Sequence, residues 1–365
     1  MNYQIYEYIS VFIMSWLFVY GLTPFIIRFA RKVDFVDKPG ARKIHQKSIP
    51  LMGGLSVFIG FFLLCLYDVA ITSSRTFDRG ILGYLVGSVL IVLMGLWDDR
   101  FGMKPIIKMF GQILVSIIFI LSNYDTRELF MMFGSVYITL PLLVLWMVGL
   151  MNALNFLDNM DGIITGMAAI LGLGFFAFSL MNTTANAGIM ALIALISLSF
   201  SGATLGFLPY NFNPAKIFLG DAGSMFIGYF LSSMGILMAQ YAGNQKNDKW
   251  FYLLPVLLLS YAIFDIALVS YTRKRDGRHV MQGGKDHSTH RIHTVLGSAK
   301  VTAIMIYLIN IIIALTTVVV FRIGSRPLLL LTTGLFAVIF LVFGMKLDQV
   351  PIVIPQNQLK SKDKA

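Results

Sequence analysis

Adjacent carboxylates close an apolar run in Gly95-Leu96-Trp97-Asp98-Asp99-Arg100, and Lys104 and Lys108 follow them. Two like charges at the edge of an apolar segment are costly unless a cation or a donor faces them. Asp98 and Asp99 could hold Mg²⁺, accept a proton or order a basic neighbour. Lys108 begins the next apolar run and could reach back as counter-ion or phosphate ligand. A second group reads Asn152-Ala153-Leu154-Asn155-Phe156-Leu157-Asp158-Asn159-Met160-Asp161-Gly162. On a helix Asn152, Asn155 and Asp158 share one face, which Asp161 continues or ends in a turn. Oxygen-bearing side chains on one stripe suit a hard cation such as Mg²⁺. The likeness to an EF-hand loop fails, because no acidic residue closes the loop at the required place.

Three further groups carry polar chemistry between apolar runs. Asp221, in Phe218-Leu219-Gly220-Asp221-Ala222-Gly223-Ser224, stands among small residues at the start of an apolar run. It could cap a helix, or the exposed backbone N–H groups around it could meet an anion. Arg42, Lys43 and His45 lie between Asp37-Lys38-Pro39-Gly40 and Pro50-Leu51-Met52-Gly53-Gly54. They could pair with phosphate oxygens, Arg42 in the bidentate manner. Gly53-Gly54 would let the backbone approach a ligand or another helix. Three of the five histidines fall within seven residues, at His287, His290 and His293, with Arg291 among them. Zinc is conceivable there, but no cysteine is near and the other groups offer hard oxygens. His287, His290 and Arg291 around a diphosphate are the better fit.

The elements that must position these residues follow from composition. The chain is 57% hydrophobic and 13% charged over 365 residues, with a mean hydropathy of +0.77. Its apolar runs are roughly 17–25 residues long, enough to cross a bilayer as helices. The short alternating segments of a membrane β-barrel are absent. The expectation is an all-α polytopic membrane protein with about eleven transmembrane helices. They lie near 5–27, 50–70, 80–97, 106–122, 136–153, 162–181, 187–206, 219–240, 250–271, 300–321 and 327–346. The first run lacks a basic leader and a small-residue cleavage site, so it reads as a span. Residues 1–349 read as one integral-membrane domain and 350–365 as a cytoplasmic polar tail. The lone cysteine, Cys65, lies inside a span, so disulfides play no part.

The net charge of +11 could suggest nucleic acid. Its distribution points to the membrane instead. Loops on one side hold 22 Lys and Arg, those on the other hold 7. The positive-inside rule then puts the N-terminus outside and the C-terminus in the cytoplasm. Every dense polar group falls on the cytoplasmic side. Asp265 is the exception, inside the run near 250–271, where an ionisable residue is paired or functional by default. Arg273 and Lys274 are candidate partners, and a structural role is favoured. Asp265 also supports the competing class, a polytopic transporter. Transporters place their coupling sites near the bilayer midplane, often between repeated halves. Here the polar groups sit at span ends and no repeat is evident.

The blocks Asp37-Lys-Pro…Arg42-Lys-x-His45…Pro50-x-x-Gly-Gly54, Asp98-Asp99, Asn152-x-x-Asn155-x-x-Asp158-x-x-Asp161-Gly162 and Pro214-Ala-Lys-x-Phe-x-Gly-Asp221-x-Gly-Ser224 occur together, in this order. In that combination the chain resembles the polyprenyl-phosphate N-acetylhexosamine-1-phosphate transferases, the WecA- and TagO-like relatives of the MraY enzymes. The resemblance runs from about Asp37 to Arg291. It departs at Asn159, where relatives commonly have Gly, and in the looser spacing of His287-x-x-His290-Arg291. His293 has no clear counterpart.

The resemblance implies a helical bundle with a cytoplasmic cleft, in the bacterial inner membrane, as a homodimer. It implies transfer of a sugar 1-phosphate, GlcNAc-1-phosphate first among the candidates, from a UDP-N-acetylhexosamine to a polyprenyl phosphate such as undecaprenyl phosphate, with release of UMP. That is the first membrane step of cell-envelope polysaccharide synthesis. Mg²⁺, with Mn²⁺ as substitute, is the implied cofactor, held by Asp221 and Asn155. Asp98, Asp99 and Lys108 would meet the lipid phosphate or the transition state. Asp158 and Asp161 would lie near the nucleotide, with Asn152, Arg42, Lys43 and His45 also among the substrate contacts. His287, His290 and Arg291 would hold the diphosphate or sugar.

Overall fold

The computed structural model describes residues 5–38, 48–71, 79–124, 128, 132–181, 187–279 and 284–352. Each expected apolar run coincides with a helix or a helix pair. Among the described residues nine helices are long and apolar enough to cross a membrane. In chain order the helices begin with α1 (Ile5–Lys32), α2 (Gly53–Ile71), α3 (Arg79–Phe101), α4 (Pro105–Asn123) and α5 (Val136–Leu157). Next come α6 (Ile163–Met181), α7 (Ala187–Asn211) and α8 (Gly220–Lys246). In α2 the stretch Gly53–Tyr67 is apolar but shorter than the nine.

Two features depart from the sequence expectation. The fold is not purely helical. Val36–Asp37 pairs antiparallel with Ile49–Pro50 as a short ribbon, with Val36 opposite Pro50 and Asp37 opposite Ile49. A two-residue strand has no periodicity from which a sequence could announce it. The run near 250–271 is also not one straight span. After a 3₁₀ turn at Lys249–Leu253 come α9 (Leu254–Leu258) and α10 (Ser260–Arg275), and the two pieces of this run meet at 73°. At the junction Leu259 leaves helical geometry, with φ −97° and ψ 14°, in the sparsely populated bridge region. The chain then forms α11 (Ser288–Leu296), α12 (Ala299–Ile323) and α13 (Arg326–Asp348).

Helix α8 is the axis of the bundle. In its most apolar window 89% of residues are buried, against 17% in α13, which lies at the edge. Helices α2, α3 and α5 pack around α8. Small residues allow close approach between the helices, as is common where bilayer helices meet. A Cβ built on Gly54 would lie 2.1 Å from the backbone nitrogen of Gly223. The pair Gly53-Gly54 thus serves another helix. Gly53 and Gly54 donate their N–H groups to the carbonyls of Phe218 and Leu219, at 3.0 and 2.7 Å. That ladder sets the start of α8 against α2. Deeper in, the rings of Phe200 and Phe230 stack at 3.6 Å between centroids, with Phe61 and Phe226 edge-on to them. On the periphery Leu331, Leu335, Val338 and Leu341 of α13 are exposed. A row of bare leucines and valines suits a lipid-facing surface. The fold is that of a multi-pass membrane protein.

Candidate functional site

Gly220 takes φ +75°, and a Cβ there would lie 2.6 Å from Asp99 Oδ2. Glycine alone meets both conditions. It lets α8 begin directly against the end of α3. The Asp99 carboxylate accepts the N–H groups of Asp221 (2.9 Å) and Ala222 (3.2 Å). Asp99 therefore caps α8 from a different helix, satisfying first-turn donors that have no intrahelical partner. The residue preceding the helix, Leu219, provides no side-chain cap. Asp99 also lines the cleft described below.

Around Asp221 the polar groups converge. Lys108 Nζ lies 2.7 Å from Asp221 Oδ2, 3.0 Å from Asp98 Oδ2 and 3.2 Å from Asn155 Oδ1. The Asn155 amide donates to Asp221 Oδ1 (2.7 Å) and to Ser224 Oγ (2.8 Å). The second oxygen of Asp98 accepts the N–H of Met103 at 2.7 Å. Lys108 and Asp98 are nearly buried, at 13% and 12% side-chain exposure, so this cage lies beside the cleft. Asp221 and Asn155 face it.

The cleft has a volume of about 650 Å³. Asn155, Asp158, Asp161, Asp221, Lys285 and His290 are among its lining residues. Asp158 follows the last residue of α5, so the expected polar stripe leaves the helix there. The Asp158 carboxylate has no hydrogen bond or ion pair among the described residues. Burial, then the neighbouring carboxylates of Asp221, Asp99 and Asp161, push it well above the usual carboxylate range. Asp161 is committed: its Oδ2 accepts Asn213 Nδ2 (2.9 Å) and the N–H of Ala215 (3.0 Å). It pins the loop that leads into α8. His290 is drawn down to about 4 by burial and by the charges of His287 and Lys285. At neutral pH it is an uncharged hydrogen-bonding group.

Three expected substrate contacts lie outside the cleft lining. Asn152 lies a turn back along α5, donating to Gln112 Oε1 (2.7 Å) and to the Val148 carbonyl. His287 is buried, its Nδ1 2.7 Å from Asp265 Oδ2. Arg291 is buried as well, donating to the carbonyls of Asp286 and Leu347, both at 2.9 Å. It staples α11 to the end of α13. Asp265 does not pair with Arg273. Its oxygens accept the N–H (2.7 Å) and Oγ–H (2.6 Å) of Ser288 and face His287. Arg273 is engaged by Asp286, at 2.7 and 2.9 Å. The bend at Leu259 redirects the helix, and a straight-span reading cannot see that. Arg42, Lys43 and His45 lie outside the described residues.

Sequence reasoning missed several participants. His293 lines the cleft beside His290, and its i+3 spacing on α11 was the available signal. Asn159, which departs from the family pattern, accepts Thr289 Oγ1 at 2.7 Å and so ties α11 to the end of α5. Lys285 and Asn213 also line the cleft, and nothing local in the sequence separates them from ordinary loop residues.

In this multi-pass helical protein, carboxylates, carboxamides and a histidine at the helix ends line one cleft, a chemistry suited to a polar, charged ligand. Comparison with known proteins narrows this. The profile of the family described as "Glycosyl transferase family 4" matches residues 81–239. A Bacillus subtilis protein called a probable undecaprenyl-phosphate N-acetylglucosaminyl 1-phosphate transferase is 33% identical over 317 residues, covering 85% of this chain and 84% of that one. A Mycobacterium tuberculosis decaprenyl-phosphate N-acetylglucosaminephosphotransferase is 31% identical, covering 79% and 78%. A phospho-N-acetylmuramoyl-pentapeptide-transferase of Halalkalibacterium halodurans is 29% identical, covering 62% and 74%. The chain belongs to glycosyl transferase family 4.

Proposed function

We propose that this protein transfers N-acetylglucosamine 1-phosphate from UDP-N-acetylglucosamine to undecaprenyl or another polyprenyl phosphate, releasing UMP. The product would be the first lipid-linked intermediate of a cell-envelope polysaccharide. The observation that carries the reading is the meeting of Asp98, Lys108, Asn155 and Asp221 from four different helices, beside a cleft that Asp158, Asp161 and His290 also line. The names of the curated relatives support the lipid acceptor and the sugar. The rival transporter reading loses its motif, since Asp265 has both oxygens committed to protein donors.

Phosphoryl transfer depends mainly on positioning and charge neutralisation. A phosphate monoester has a second pKa of about 6, so the lipid phosphate is largely dianionic near pH 7 and needs little help from a base. We favour its direct attack on the sugar-bearing phosphorus. Asp98 would then organise Lys108, and both its oxygens are already engaged. In this reading the Lys108 ammonium, held against Asp221 beside the cleft, would offset the repulsion between the two anions. His290, uncharged, can hydrogen-bond the diphosphate or the sugar. Asp221, Asn155 and Asp158 are the residues that would hold Mg²⁺ or Mn²⁺, which take hard oxygen ligands. The ion would displace Lys108 from the Asp221 and Asn155 oxygens and the proton from Asp158, whose carboxyl burial holds well above the usual range. Bound there, the ion would neutralise diphosphate charge. Arg42, Lys43 and His45 remain proposed phosphate contacts.

The same reading places the chain in the bacterial inner membrane as a homodimer, N-terminus outside, cleft facing the cytoplasm. The test is UMP release by purified protein given Mg²⁺, undecaprenyl phosphate and a panel of UDP-N-acetylhexosamines. Release with UDP-N-acetylglucosamine is expected. Preference for another donor would correct the sugar, and no release with any donor would overturn the reading and revive transport. With a chiral phosphorothioate donor, inversion at phosphorus is expected; retention would indicate a covalent intermediate instead.

A further inference from the structure

Helix α11 carries both cleft histidines, His290 and His293. Its own N-cap residue, His287, makes no capping hydrogen bond with its side chain. The missing cap comes from α10. Asp265 Oδ1 accepts the Ser288 N–H at 2.7 Å and the Ser288 hydroxyl at 2.6 Å, and Oδ2 lies 2.7 Å from His287 Nδ1. One turn earlier on the same face, Tyr261 Oη reaches Ser288 Oγ at 3.0 Å. Asp265, Ser288 and Tyr261 are fully buried and His287 nearly so, so water cannot replace these bonds. A carboxylate at a helix N-terminus also meets the positive end of the helix dipole. On the far side of His287, Arg273 Nη2 approaches Nε2 at 3.5 Å. The imidazole is held between an acceptor and a donor, which fixes its ring plane.

We propose that Asp265 is a positioning residue that sets the first turn of α11 and thereby places His290 in the cleft. This rests on the transferase reading above for its kinetic test, though not for its geometric one. The other ties on α11 act elsewhere: Thr289 to Asn159 on the cleft side, Arg291 to Leu347 at the end of α13. Thr289 and Ser288 are both in the first turn, but among the described residues Asp265 is the one whose side chain accepts a backbone N–H there. Without that cap, the first turn would shift by a fraction of an ångström or fray. Misplacement of about 1 Å in a reacting array costs about a hundredfold in rate.

The experiment is a double-mutant cycle between Asp265→Asn and His290→Ala, read as kcat and KM for each substrate. Asp265→Asn alone is expected to lower kcat/KM for the UDP-sugar by about tenfold to a hundredfold, leaving KM for the lipid phosphate unchanged. In the His290→Ala background the same change should cost almost nothing, because residues acting as a unit are non-additive. Multiplying losses, or an unimpaired Asp265→Asn enzyme, would overturn the proposal. Ser288→Ala, which deletes one of the three Asp265 bonds together with the Tyr261 contact, gives a second cycle should Asp265→Asn fail to fold. A readout free of turnover is the labelling rate of His290→Cys by a charged maleimide, the native Cys65 being buried. Asp265→Asn or Ser288→Ala should change that rate severalfold. An unchanged rate would overturn the proposal even if transfer itself were never observed.

Discussion

Replacing Lys108 with Met keeps most of the stem and removes the charge. In the native cage the ammonium faces Asp221 at 2.7 Å and Asp98 at 3.0 Å, with the Lys108 side chain 13% exposed. At an effective dielectric of about 20, unit charges at those separations attract by roughly 5–6 kcal/mol each. Desolvation of the three ions offsets much of this, and breaking a buried pair typically costs about 3–5 kcal/mol. The lysine is also the cation between two carboxyl groups in contact with each other, so its loss leaves Asp98 and Asp221 to repel or to share one proton. We expect Lys108→Met to lose about 3–5 kcal/mol of stability and at least a hundredfold in turnover, since Asp221 moves and the approaching anions lose their cation. Thermal unfolding in a fixed detergent and UMP release on the same preparation measure both. Unchanged Tm with undiminished turnover would refute the cage argument. Lost stability with retained turnover would show that Lys108 supports the site without serving the reaction.

Two further outcomes follow from the geometry. Asp99→Ala leaves the partly buried N–H groups of Asp221 and Ala222 without that acceptor and should cost about 1–3 kcal/mol, with Asp99→Asn intermediate in unfolding assays; an Asp99→Asn enzyme of full stability but no turnover would assign Asp99 to the chemistry itself. His290 is held at about 4 in the folded protein against an ordinary 6.5, so the unfolded chain takes up that proton first. Its effect on stability is absent above about pH 6.5 and becomes a growing loss as pH falls toward 4. His290→Gln should flatten the Tm profile in that window and leave it unchanged above; identical slopes would refute the assignment.

Much of the architecture was legible because bilayer physics is local. A run of apolar residues must satisfy its backbone within itself, so the runs became helices nearly where expected. Spacing on one helix was legible in part: Asn155 and Asp158 both reach the cleft as expected, although Asp158 does so from just past the helix end and Asn152 does not reach it. Helix ends and bends were not, since they depend on what packs alongside. Gly53-Gly54 could have met a ligand or a helix, and only the position of Gly223 decides it.

The sequence by itself determined the membrane-spanning class, the family and the inventory of carboxylates, amides and histidines, because composition, run length and ordered motifs are properties of a linear chain. Tertiary structure alone decided how that inventory divides. Asp221, Asn155, Asp158 and His290 face the cleft, while Asp98 and Lys108 lie beside it. Asp99 caps a neighbouring helix and Asp161 pins a loop. His287 and Arg291 are buried in hydrogen bonds behind the cleft, and Asp265 holds the helix that delivers His290. Those assignments turn on a 73° bend and on contacts between residues far apart in sequence. A buried polar group takes whichever partner the packing brings within about 3 Å, and sequence spacing does not encode that distance.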